Sequence, residues 1–175
     1  EWGMEQFVRD ARIGQIYEGT NYVQAIDLVG RKLPEGDGRL LRRYATIVAD
    51  ELKAAGDVPT LGAEVQALAK ALGALQKATE WIAEHAAKNP DEAGAAAIEY
   101  LRLFGYVALG HQWLRTARVA TAKLADGGAF PPMHYEAKLA TARFFFARVL
   151  PQVHSLHASL TAGVDAVDAF PMDAY

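Results

Sequence analysis

Cysteine is absent from the 175 residues, which removes disulfides, thiolate metal sites and thiol catalysis together. That absence also fits a reducing compartment. No uninterrupted apolar run approaches the roughly 20 residues of a membrane-spanning helix, and the N-terminus lacks a signal-peptide layout. These absences point to the cytoplasm and predict no membrane span. An excess of one charge is missing too: 18 basic side chains face 21 acidic ones, for a formal net charge of −3. Without a basic stripe there is no footprint for a phosphate backbone, which argues against a nucleic-acid partner. Strand-like alternation of useful length is also lacking.

What remains is helical. Hydrophobic residues make up 51% of the chain, and alanine alone contributes roughly a fifth, a composition that favours close-packed helices. Between Asp37 and Gly56, Leu40, Leu41, Tyr44, Ile47, Val48 and Leu52 form one apolar stripe at helical spacing. Asp37 is the expected cap and Gly56 the expected left-handed stop. A second helix follows Thr60, burying Leu61, Val65, Leu68, Leu72, Leu75 and Ile82, and ends near Asn89. Asn89-Pro90-Asp91-Glu92 predicts the next start, with Asn89 capping and Glu92 completing a capping box. This third helix runs through Ile98, Leu101, Phe104, Ala108, Leu114 and Val119 to the Gly127-Gly128 break. After Pro131-Pro132 a fourth helix carries Tyr135, Leu139, Phe145, Phe146, Val149, Val153, Leu156 and Leu160. Pro151 should kink or divide it near residues 148–150. Asp165 to Tyr175 reads as a tail. The expected fold is all-α: an antiparallel up-and-down helical bundle over residues 37–175, preceded by a detached helical segment over residues 1–36.

Residues 1–33 differ from the rest in presenting apolar side chains on several sides, among them Trp2, Met4, Phe7, Ile13, Ile16, Tyr17, Tyr22, Val23, Ile26 and Leu28. A surface helix shows one such face, so this segment is suited to being covered by more protein than the bundle offers. Gly19-Thr20-Asn21 breaks it and caps a short helix from Tyr22 to Lys32. Residues 33–38, Leu-Pro-Glu-Gly-Asp-Gly, form the clearest linker.

Within this segment, Arg9-Asp10-Ala11-Arg12-Ile13-Gly14-Gln15-Ile16-Tyr17-Glu18-Gly19-Thr20-Asn21 closely resembles the late signature of acyl-CoA dehydrogenases. There, an Arg-Asp-x-Arg/Lys-Ile helix leads into Ile-Tyr-Glu-Gly-Thr, whose glutamate is the catalytic base. The continuation from Gln24 to Leu33 looks like the subclass with an additional C-terminal helical domain. The resemblance is strong over residues 5–33, and over 37–165 it extends only to helical character. It implies an FAD-dependent oxidoreductase in which Glu18 removes the α-proton of an acyl-CoA while a hydride leaves the β-carbon for the flavin. Glu18 and Gly19 would contact the substrate thioester, and Thr20, Asn21 and Tyr22 would lie beside the flavin nucleotide. The family more often carries Glu or Gln where Tyr22 stands. Electron transfer flavoprotein and a second copy of the full-length chain are the partners implied. On this pattern several hundred residues of the family architecture precede residue 1, so FAD is expected in the full-length enzyme and none in these 175 residues, which should be inactive alone.

The residues themselves support the assignment. A carboxylate at a helix break, flanked by Ile16 and Tyr17, can be desolvated toward the range of a useful base. Gly19 has no Cβ to hold a thioester away. Arg9, Asp10 and Arg12 read as packing and ion-pair residues. His154 and His157 share a helix face but lack a nearby carboxylate, so metal binding there is disfavoured. His111 beside Trp113 reads as half-buried. Phe144-Phe145-Phe146 cannot all face one core, so at least one of them should face another domain or subunit, or equally a ligand pocket. The alternative function is a non-enzymatic helical packing or oligomerisation module built on residues 37–165.

Overall fold

The computed structural model describes residues 3–16 and 20–169, with only the backbone of Gly14, Gln15 and Ile16. Eight α-helices are found among them. Helices α1 (Met4–Ile16) and α2 (Thr20–Asp27) come first, and α2 runs on through a π-helical turn over Leu28–Lys32. Then come α3 (Arg39–Gly56), a 3-10 turn over Pro59–Leu61, α4 (Gly62–Ala86) and α5 (Asp91–Asp126). The last stretch holds α6 (Pro132–Phe144), a second π-helical turn over Phe145–Val149, α7 (Gln152–Leu160) and the short α8 (Asp165–Asp168). The described residues contain no strand.

Specific contacts set the directions. The Thr79 and Tyr100 hydroxyls lie 2.8 Å apart, and Gly110 sits under the Leu68 side chain, so α4 and α5 run antiparallel. Tyr106 Oη donates to Gln152 Oε1 at 3.2 Å, and the Val164 amide donates to Glu92 Oε2 at 2.9 Å. Chain order therefore reverses again between α5 and α7. Tyr44 stacks on Phe104 with centroids 5.1 Å apart, while Glu51 pairs with Arg118, so α3 lies parallel to α5. This is the expected up-and-down bundle.

Helix α5 is its axis. At 36 residues it is about 54 Å long. It packs against α2, α3, α4, α6 and α7. Encirclement changes which of its residues are buried. Tyr100, Leu103, Val107, Gly110, His111, Leu114 and Ala117 are inside, whereas Ile98, Leu101 and Phe104 are half-buried and Val119 is exposed. The expected single stripe thus understates α5, because a helix with neighbours all round buries small residues wherever another helix approaches. Fully buried Leu68, Leu75, Leu103 and Leu114 hold the centre together, each worth about 1.5–3 kcal/mol of burial.

The segment before Asp37 is not detached as a whole. Helix α2 packs on α5, and Ala25, Val29 and Leu33 belong to the same core as Leu75 and Val107. The 3.6-residue repeat gives α2 and its π-turn one small apolar face toward the bundle, and Val23 and Ile26 remain outside. On α1, Met4, Phe7, Val8 and Ile13 are all more than half exposed. Trp2 lies outside the described residues.

Several local expectations change. Asp37 makes no side-chain cap. It and its neighbours Gly36 and Gly38 adopt left-handed backbone, and the Arg42 guanidinium donates to the Asp37 carbonyl and, at 3.4 Å, to that of Gly36. Gly56 ends α3 without entering the left-handed region. The α3 stripe is rotated: Val48, Glu51 and Ala55 are buried, while Leu40 and Ile47 face outward. Asn89 Oδ1 does accept the Asp91 amide at 3.1 Å, as a cap should. Glu92 does not close a capping box; its carboxylate reaches the backbone ahead of α8 instead. Before Pro151, the π-turn absorbs the interruption, with the Leu150 amide donating to the Phe145 carbonyl at 2.9 Å. That extra residue per turn buries Phe145 and Phe146 and leaves Phe144 outside, as three consecutive aromatics required.

Candidate functional site

The expected catalytic stretch begins within α1 and ends in the first turn of α2. Helix α1 is described as far as Ile16, and α2 opens at Thr20, two residues before the Tyr22 start that the sequence predicts. Tyr17, Glu18 and Gly19 lie outside the described residues. Upstream, Arg9 donates to Gln6 Oε1 at 2.6 Å, and Gln6 Nε2 donates to Asp10 Oδ1 at 2.7 Å. Arg9 and Asp10 are therefore tied through an amide on the exposed face of α1, which agrees with a structural role.

Downstream, Thr20 is half-buried, and Asn21 and Tyr22 are exposed at the first turn of α2. A hydroxyl, an amide and an accessible aromatic ring thus stand together at the first turn of α2. Tyr22 also lines a groove of about 570 Å³ with Pro90, Gly94, Ile98 and Val164. This groove brings α2, the start of α5 and the chain before α8 together. Arg31 and Asp27 pair at 2.5 Å one turn apart, across the junction of α2 and its π-turn.

The other sequence candidates resolve as follows. His154 and His157 lie in a groove with Lys70 and Lys77, and no group of three metal-binding side chains occurs among the described residues. His111 is more buried than expected, at 6% exposure, with its ring edge-on to Tyr44. Burial lowers its pKa, and Glu51 opposes and Arg115 reinforces that shift. Burial likewise pushes the Tyr44 phenol up to about 12, and its hydroxyl has no hydrogen-bond partner among the described residues.

Sequence reading missed a long-range ion pair between α3 and α5. Arg118 clamps Glu51 bidentately, Nε to Oε1 at 2.6 Å and an Nη to Oε2 at 3.1 Å. The signal was present: Glu51 sits one residue before Leu52, where helical spacing from Tyr44 and Val48 continues the buried face. A charge there calls for a partner from another helix.

Taken together, the described residues form an all-helical bundle built around α5, with α2 packed into its core. Residues 40–171 match the family described as acetyl-CoA dehydrogenase C-terminal like, and the chain belongs to that family. Among curated relatives, it is 37% identical over 171 residues to 3-methylmercaptopropionyl-CoA dehydrogenase of Ruegeria pomeroyi, covering 95% of this chain and 28% of that protein. It is 30% identical to a butyryl-CoA dehydrogenase of Syntrophomonas wolfei, over all of this chain and 29% of that protein. A broad-specificity linear acyl-CoA dehydrogenase, FadE5, of Mycobacterium tuberculosis is 31% identical over 89% of this chain and 26% of its own length. The chain thus spans under a third of the relatives it matches.

Proposed function

We propose that these residues are the C-terminal part of an FAD-dependent acyl-CoA dehydrogenase and that Glu18 is its catalytic base. The observation that carries this reading is the coincidence of two matches. The bundle belongs to the C-terminal family of these enzymes, and the Arg9–Asn21 signature stands directly before it. Similarity to acyl-CoA dehydrogenases covers both parts.

In this reading Glu18 takes the α-proton of the acyl-CoA thioester, and its backbone amide donates to the thioester carbonyl, stabilising charge as it develops. Gly19 leaves room for that approach. FAD, when bound, accepts the hydride from the β-carbon. Thr20, Asn21 and Tyr22 would hold part of the flavin nucleotide, with the remainder of both sites supplied by protein beyond these residues. The exposed apolar side chains of α1 then face that protein. Electron transfer flavoprotein as oxidant, a homodimeric full-length enzyme and a cytoplasmic location complete the proposal. No described helix is long and apolar enough to cross a membrane.

Glu18→Gln in the intact enzyme tests the base. Anaerobic stopped-flow mixing with an acyl-CoA panel should show substrate binding retained and flavin reduction slowed by about 10²-fold or more. Near-normal single-turnover reduction would remove Glu18 from the role.

A further inference from the structure

Between α4 and α7 lies a groove of about 430 Å³, lined by Lys70, Gly73, Ala74, Lys77, His154 and His157. The seven-residue interval places both lysines on one face of α4, about 10.5 Å apart along the axis. Gly73 and Ala74 fall midway between them, so the smallest side chains form the floor. A Cβ added at Gly73 would meet no atom within 4 Å, which means that the recess above it is open. His154 and His157, one turn apart on α7, form the facing wall.

The charge pattern is one-sided. No carboxylate lines the groove, and neither Lys70 nor Lys77 is ion-paired among the described residues. Lys88, just beyond the end of α4, is by contrast held by Glu84 at 2.8 Å. An ammonium offers three donors and no acceptor, and an imidazole ring can add a donor. On a chain of net charge −3 this is a local inversion of sign. Two ammonium groups repel a metal ion and attract an anion.

We propose that this groove binds a small diphosphate-type anion. Two lysines two helical turns apart can, with their side chains extended, each meet one end of a longer polyanion. The histidines donate to the oxygens between, and the open Gly73–Ala74 floor admits the anion against the backbone.

Pyrophosphate is the probe, titrated into the 175-residue chain at constant ionic strength and followed by calorimetry and by NMR of the five histidine rings. Saturable binding should move the His154 and His157 signals and leave in place those of His85, stacked on Trp81, and His134, stacked on Phe130. Inorganic phosphate should bind about fivefold or more weakly than pyrophosphate. Lys70→Gln with Lys77→Gln should weaken pyrophosphate about tenfold or more. Gly73→Glu, which sets a carboxylate in the open recess, should weaken it at least as much. Lys53→Gln with Lys123→Gln makes the same change in net charge elsewhere and should leave affinity within about twofold. An equal loss in that control, or uniform shifts of all five histidines, would reduce the effect to general charge screening and overturn the site. Equal binding of phosphate and pyrophosphate would overturn the diphosphate assignment.

Discussion

Removing either partner of the Glu51–Arg118 clamp should destabilise the bundle, and the two losses should be unequal. The Glu51 side chain is 10% exposed and that of Arg118 is 34% exposed. Replacing Arg118 with Leu strands a carboxylate that water reaches poorly. Breaking a buried pair in this way costs about 3–5 kcal/mol, and the partial exposure of the arginine places this case near about 3 kcal/mol. Replacing Glu51 with Gln leaves a guanidinium that can turn outward and rehydrate while the amide still accepts one hydrogen bond, so about 1 kcal/mol should be lost. The double variant Glu51→Gln, Arg118→Leu leaves no stranded charge and should fall between, at about 2–3 kcal/mol, giving a coupling of about 1–2 kcal/mol. Urea unfolding followed by far-UV circular dichroism, with equal slopes across the four proteins, measures all three quantities. Equal losses from the single variants, or a larger loss from Glu51→Gln, would refute the reasoning that unequal rehydration sets the cost.

Two glycines in similar helical settings should respond with opposite sign. Gly73→Ala should stabilise by about 0.5–1 kcal/mol, because the new Cβ meets open space and helix propensity improves. At Gly110 a Cβ would lie 3.0 Å from Leu68 Cδ1 and 3.4 Å from Leu150 Cδ1, so Gly110→Val should destabilise by about 1–3 kcal/mol; thermal melts of both variants decide this. His111 has a depressed pKa in the folded state, so between that value and its ordinary 6.5 the unfolded chain binds more protons. Stability should therefore fall as pH drops below about 6.5, by at most about 1.4 kcal/mol per pH unit from this group. Subtracting the same acid titration of His111→Phe should remove that component, and an unchanged slope would show that His111 does not titrate in this way.

How much was legible in advance depends on what set each feature. The long helices were readable because Gly127-Gly128, Asn89-Pro90 and Pro131-Pro132 punctuate the chain locally, and local chemistry fixes such boundaries. The aromatic triplet at Phe144–Phe146 announced its own split. The buried face of α5 was not readable, since no periodicity within one helix reports how many neighbours surround it. The α3 stripe was misread by a small rotation for the same reason: Ile47, expected inside, faces outward, and Glu51 is buried where Arg118, 67 residues away, supplies the carboxylate with a partner. Glu92 met the spacing of a capping box and yet serves another part of the chain, because the amide of Val164 comes within reach only after the bundle closes. The start of α2 was placed two residues late, at Tyr22 rather than Thr20, and the segment around Glu18 lies outside the described residues.

By itself the sequence determined the helical class, the order of the long helices, the absence of thiol chemistry and the acyl-CoA dehydrogenase signature around Glu18. The first three follow from residue type and short-range spacing, and the last is a family resemblance. Tertiary structure alone decided that α2 joins the bundle core, that Glu51 is paired, and that two lysines from one helix and two histidines from another line one groove. Each of those depends on which distant faces meet, and helices of similar amphipathicity can meet in many ways until packing selects one.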